Sequence, residues 1–170
     1  MVNSRKWEKG KRMKRNLQLD EQNTETSIVE EKGVIIEQLR DRARIAFEKE
    51  FYIETIFIST VILEERIYSV NSKIDGRYPR DKNSSRKTLG NLITDFKSFY
   101  TNNDGLKRHF NITLVNDLDW YLEFRNNIYH LLISDGLVTS TEDLKQLAEF
   151  ATRTSEEFRA TTRRWKKKEF

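Results

Sequence analysis

Cysteine is absent from the 170 residues, and proline occurs once. Without thiols the chain has no disulfide framework, no thiolate metal site and no cysteine nucleophile, and it carries no sign of an oxidising compartment. Six glycines and the single proline leave few chain breakers. A β-sandwich needs turn residues about every ten positions, and they are missing. Long apolar runs are missing too. The most apolar stretch, residues 51–63, is interrupted by Glu54 and closed by Glu64 and Glu65. That falls far short of the roughly 20 apolar residues a membrane span requires. The first residues are basic, but no apolar segment follows them, so no signal peptide is expected. A soluble, cytoplasmic protein without membrane contact is the expectation.

What is present suits helices. Charged residues make up 34% and apolar residues 36% of the chain, and the length is right for one domain with a true core. The net charge of +4 hides an asymmetry. Residues 1–16 carry +6 and residues 159–170 carry +5, which leaves −7 on the stretch between. Basic ends on an acidic body suit appendages that bind a polyanion, or ends that confer solubility.

Residues 1–22 show no apolar period and read as a disordered tail, with the folded domain expected over 23–170. From Thr24 to about residue 49, Ile28, Ile35, Leu39, Ala43, Ala46 and Phe47 recur at helical spacing. A second helix is expected over about 51–74, with Ile53, Ile56, Phe57, Leu63, Ile67, Val70 and Ile74 on its apolar stripe. No breaker separates the two, yet a hairpin is preferred to one helix of nearly fifty residues on length grounds. Residues 75–87 form a loop with the one proline and five basic residues. A helix follows over about 88–101, and residues 101–105 have turn chemistry. Asn111 or Thr113 caps a fourth helix that Asp135-Gly136 ends near Ser134. Ser140 with Asp143 starts the last helix, whose apolar face is Leu144, Leu147, Ala151 and Phe158. The fold class is therefore all-α, an antiparallel bundle of about five helices.

The fourth helix holds an anomaly. Leu118, Leu122, Tyr129 and Leu132 form its apolar spine, with Ile128 beside it, and Arg125 sits in the middle of that spine. A guanidinium there needs a charge partner or a bound anion to offset its desolvation. His130 lies five residues on, about 140° around the helix and roughly 7.5 Å along it. It groups with Glu123, Asn126, Asn127 and Ser134. On the second helix Glu64 borders the apolar stripe, and the simplest account is a buried Glu64–Arg125 bridge between helices.

The segment Phe124 to His130, FRNNIYH, resembles the motif of the HEPN family, an Arg, a polar residue, a few more positions and then His within a helix. Residues 43–67 resemble that family's helical hairpin, which ends in a Leu-Glu pair, here Leu63-Glu64. Residues 88–93, TLGNLI, resemble the short segment that follows. The resemblance spans about residues 25–135 and leaves both charged ends outside it. It implies an endoribonuclease that needs no metal and no cofactor. RNA brings its own nucleophile, the 2′-OH, so the enzyme supplies a base, an acid and a donor for the phosphate charge.

In that scheme His130 is the acid or base, its ordinary pKa being near neutrality. Arg125 neutralises the scissile phosphate, Asn126 orients it, and Glu64 holds Arg125. The products would be a 2′,3′-cyclic phosphate and a free 5′-OH. The family also implies a toxin or antiviral defence effector, with an antitoxin or a defence protein as partner, and a homodimer. Dimerisation about the fourth helix would overcome the 140° between Arg125 and His130 by joining two motifs. Arg163, Arg164, Trp165 and Lys166 read either as a helix end that complements the macrodipole or as an RNA contact with one stacking ring. Arg77, Arg80, Arg86 and Lys87 of the central loop share that ambiguity.

Two other readings stand beside the ribonuclease. One is a non-catalytic HEPN module that binds RNA, a nucleotide or a protein. The other is a plain helical adaptor. No zinc site is expected from two histidines without cysteine, and His109 reads as an exposed loop residue.

Overall fold

The computed structural model describes residues 33–76, 87–133 and 140–169, with the side chains of 129–133 outside the description. The chain divides into two units, Met1–Gln38 and Leu39–Phe170. In the first, the described residues 33–38 are helical. All that follows concerns the second. Among the described residues every regular element is a helix, as the scarcity of breakers predicts.

Six helices are described in this unit: α1 (39–48), α2 (Tyr52–Asp75), α3 (Leu89–Asn102), α4 (Asp104–His109), α5 (Ile112–Ile133) and α6 (Thr141–Glu169). The expected hairpin between the first two is present. Its stop is Glu50, which adopts the left-handed conformation at φ 61°. Phe51 N–H donates to Ala46 O at 2.8 Å and Glu50 N–H to Phe47 O at 3.0 Å. This is the Schellman pattern that ends helices, built here without glycine. Thr55 Oγ1 donates back to Ala43 O at 3.5 Å, and Arg42 pairs with Glu54 at 3.1 Å, so the arms close on each other.

Later boundaries follow side-chain caps. Thr88 Oγ1 accepts from Asn91 N–H at 3.4 Å, Asn111 Oδ1 from Leu114 N–H at 2.7 Å, and Ser140 Oγ from Asp143 N–H at 3.1 Å. Residues 101–105, expected as a turn, are split between two helices. Asn103 ends α3 and at once caps α4, its Oδ1 accepting from Leu106 N–H at 3.0 Å. The turn residues start a short helix instead of a loop.

Helix α6 is the backbone of the packing and has its most extensive contact with α2. The two run parallel, since Ser59 meets Thr152 at 3.5 Å and Ser69 meets Lys166 at 2.6 Å. Helix α5 runs antiparallel to α6, with Asn111 at Glu157 and Phe124 at Phe150. It also runs antiparallel to α3, where Lys97 pairs with Asp119 and Gly90 lies against Leu122. Phe96, Phe110 and Phe158 form a triangle of rings with centroids 5.1–5.2 Å apart where α3, the α4–α5 junction and α6 meet. All three are fully buried.

The apolar stripe expected on α2 is only partly the buried one. Ile56, Leu63, Ile67 and Val70 are core, but Ile53 and Phe57 are exposed, together with Val61. These three recur every four residues and form a second, outward apolar stripe. Toward α6, α2 presents the small buried Ser59, whose hydroxyl meets Thr152 Oγ1.

Candidate functional site

Arg125 occupies the third turn of α5 counted from its C-terminal end. It is half-buried, and its Nε is out of water. One turn earlier, Tyr121 faces α2 and is 3% exposed. Its hydroxyl lies 2.8 Å from Thr60 Oγ1. Thr60 Oγ1 also sits 2.8 Å from Ile56 O, an acceptor, so the threonine proton goes there. Tyr121 is therefore the donor to Thr60. Burial pushes the Tyr121 hydroxyl far above its ordinary pKa, against the smaller opposing effects of Thr60 and the Arg125 charge. A phenol so held stays protonated and serves as a strut, not as a base.

This bond fixes the register of α5 on α2. Because α5 opposes α6 and α6 parallels α2, α5 is antiparallel to α2. Glu64 follows Thr60 by one turn on α2, and Arg125 follows Tyr121 by one turn on α5. Both are half-buried and both have interaction partners. A carboxylate–arginine pair that the sequence reading did not single out lies on α6. Arg159 is 8% exposed and is gripped by Glu156, with Nε and Nη2 at 3.2 and 3.1 Å from Oε2. The other oxygen of Glu156 accepts from Arg40 Nε at 2.5 Å. An i,i+3 spacing of Glu and Arg on one helix was the available signal, and it is too common to have stood out.

Asn126 is exposed beside Arg125. The backbone at His130 is helical and continuous with Arg125, which keeps the two positions about 140° apart around the axis. The His130 side chain lies outside the described residues, as do Arg77, Arg80 and Arg86. Lys87 is described, and its Nζ pairs with Asp95 at 2.6 Å.

The basic end of α6 differs from its expected character. Trp165 is 2% exposed and packs edge-on to Phe110 with centroids 6.4 Å apart. It is a core residue, and the expectation of a base-stacking ring is corrected: a ring sealed against Phe110 offers no open face. Arg163 and Arg164 are exposed. Lys166 turns inward, its Nζ donating to Ser69 Oγ on α2 at 2.6 Å. Burial and the nearby charges of Arg66 and Lys73 lower its pKa. His109 is also corrected. It closes α4 with its side chain mostly buried and Nε2 3.5 Å from Glu169 Oε1.

Among the described residues no group of three or more His, Asp or Glu is placed to hold a metal, and no helix is long and apolar enough to cross a membrane. No family model matches the chain, and neither a curated protein nor a solved structure matches it.

Proposed function

We propose that this chain is an RNA-cleaving protein of the HEPN kind, acting on RNA through Arg125 and His130 of α5. The observation that supports it is Arg125 itself: a guanidinium set into the packed side of a helix, with exposed Asn126 next to it. Such a group is desolvated in part and is strengthened as a donor to a phosphate. In the reaction a base takes the 2′-OH proton as the 2′ oxygen attacks phosphorus. The P–O5′ bond breaks, and an acid returns a proton to the leaving 5′ oxygen. His130 fills one of these roles, and Arg125 bears the charge on the phosphoryl oxygens.

Since the two positions diverge around α5, the complete site is composite and the working form is a homodimer. The exposed apolar residues Ile53, Phe57 and Val61 on α2, with Trp120 on α5, supply area of the kind such pairing buries. A role as a toxin or defence effector, with a cognate inhibitor or partner protein, belongs to the same proposal.

A second reading is a non-catalytic module of the same family that binds RNA, a nucleotide or a protein. The burial of Arg125 Nε beside Tyr121 favours it, because that placement also suits a purely structural arginine. Total RNA incubated in EDTA with wild type, Arg125→Ala and His130→Ala separates the two. Cleavage by wild type alone, with 2′,3′-cyclic phosphate ends, supports the first. Intact RNA with every folded variant sinks it.

A further inference from the structure

Trp120 on α5 is 59% exposed, the most open of the large apolar side chains among the described residues. It does not stand alone. Its ring meets that of Phe124, one turn on, with centroids 5.5 Å apart and planes 36° from parallel. Phe124 meets Phe150 of α6 at 6.0 Å, and Phe150 meets the buried Tyr121 at 6.3 Å. The exposed indole is thus the outer end of a ladder of rings that begins in the core. Arg153, itself exposed, lies over the Phe150 ring with its Cζ 5.3 Å from the centroid.

A lone surface tryptophan is ordinary. One braced by other rings is different, because little side-chain freedom remains to be lost when a ligand stacks on it. Its neighbours on the α5 surface are polar: Asn116, Asp119, Glu123 and Asn127 are all exposed, with Asp119 held by Lys97. Charged and amide groups around one ring do not suit the core of a protein interface, which is depleted of charge. The pairing face proposed above has its core in Ile53, Phe57 and Val61, and Trp120 belongs at most to its rim. An open ring flanked by amides and carboxylates matches a nucleobase instead. Such a base stacks on the ring and forms hydrogen bonds along its own edge.

We propose that Trp120, braced by Phe124 and Phe150, is the stacking platform for an unpaired base of single-stranded RNA. The choice of RNA rests on the reading of α5 given above, which this platform deepens. Asn127 follows Trp120 by seven residues, about 20° around the helix and roughly 10 Å along it, so its amide shares that face. The position of His130, three residues further on, lies about 80° around from Trp120, whereas Arg125 diverges from it by about 140°. A strand stacked on Trp120 therefore runs along the side of α5 that leads to His130. Arg153 adds positive charge beside the ladder for its phosphates. A base paired in a duplex has no free face to offer, so the platform selects single strands.

The test uses the full chain and a fluorescent single-stranded RNA of twelve nucleotides with 2′-O-methyl groups, which lacks the 2′-OH nucleophile and so reports binding without cleavage. An abasic strand with the same number of phosphates is the reference. Wild type should bind the base-bearing strand more tightly than the abasic one. Trp120→Ala and Trp120→Leu should weaken the first by about tenfold, within the range of one stacked base, and leave the second unchanged. Trp120→Phe should keep most of the affinity, since a flat ring remains. The salt dependence of binding should be the same in all, because no phosphate contact is removed. Equal binding by wild type and Trp120→Leu overturns the platform, and so does an equal loss on both strands or no binding by wild type. A Trp120→Leu variant that changes only sedimentation assigns the ring to self-association and overturns it too. Unmodified RNA in EDTA keeps this question apart from cleavage. Uncut RNA with Trp120-dependent binding leaves the platform standing and removes the nuclease, whereas cleavage with binding indifferent to Trp120 does the reverse.

Discussion

Tyr121 donates its hydroxyl proton to Thr60 across the α2–α5 contact, and this one bond sets which residues of the two helices meet. It lies a single turn from Arg125 on α5 and a single turn from Glu64 on α2. Whatever Arg125 does, it does from a helix whose register is pinned one turn away.

Tyr121→Phe should lower stability by about 1 kcal/mol, the usual net worth of one buried hydrogen bond. Thr60 keeps its bond to Ile56 O and is not orphaned. Cleavage of RNA, where present, should be unchanged per folded molecule between pH 6 and 8, because the phenol is protonated throughout. A fall in cleavage with an unchanged melting temperature would show that Tyr121 acts on substrate.

Glu156→Gln should cost about 2–3 kcal/mol. Removing one partner of a fully buried pair costs about 3–5 kcal/mol, and a third of the Glu156 side chain is exposed, which screens part of the loss. Two arginines lose a shared carboxylate at once. Arg159→Leu should cost less than Glu156→Gln in chemical denaturation, since it removes the buried charge together with the pair.

Lys166→Met should stabilise the protein near neutral pH. The folded state lowers the pKa of Lys166 from 10.5, so below that range the lysine is charged in both states and charged at a cost in the folded one. As pH rises through the lowered pKa, the folded protein releases the proton first and the cost disappears. The advantage of the variant, read as a difference in melting temperature, should therefore be largest near pH 7 and shrink toward pH 10.5. A constant difference over that range would mean that Lys166 acts through packing alone.

Phe57→Glu should weaken self-association without unfolding the monomer. Phe57 is 48% exposed, midway between Ile53 and Val61 on α2. Sedimentation of wild type and variant at micromolar concentration provides the check. A wild type that stays monomeric removes the composite site from the proposed mechanism.

The helical class and most boundaries were legible because their causes are local. Ser140 with Asp143 and Asn111 before Ile112 announce helix starts by side-chain chemistry that acts over three residues. The stop at Glu50 was not legible, since a left-handed glutamate has no signature; beside it Phe47 packs edge-on to Tyr52 across the turn. Residues 101–105 misled in the other direction, as Asn103 both ends and begins a helix. On α2 the expected stripe held at Ile56, Leu63, Ile67 and Val70 and failed at Ile53 and Phe57. Ile53 and Phe57 look as apolar as Ile56 and Leu63, and only the partners on α5 and α6 decide between the two stripes. The arginine on the α5 spine was visible from pattern alone. Its neighbours were not, because Tyr121 and Thr60 are joined across 61 positions.

The parallel pairing of α2 with α6 bears on how the chain reaches this state. Its ties, Ser59 to Thr152 and Ser69 to Lys166, span 93 and 97 residues. Hairpin contacts such as Arg42 to Glu54 span 12. Closing the larger loop costs more chain entropy before any burial offsets it, and distant pairing of this kind slows folding in small domains. The α1–α2 hairpin and the α3–α5 segment close shorter loops, so docking of α6 is expected to be the slow step. Until that step, the faces that end against Phe158 and Trp165 stay open to solvent and to other chains. The window in which this protein is most prone to aggregate is therefore set by its last described helix.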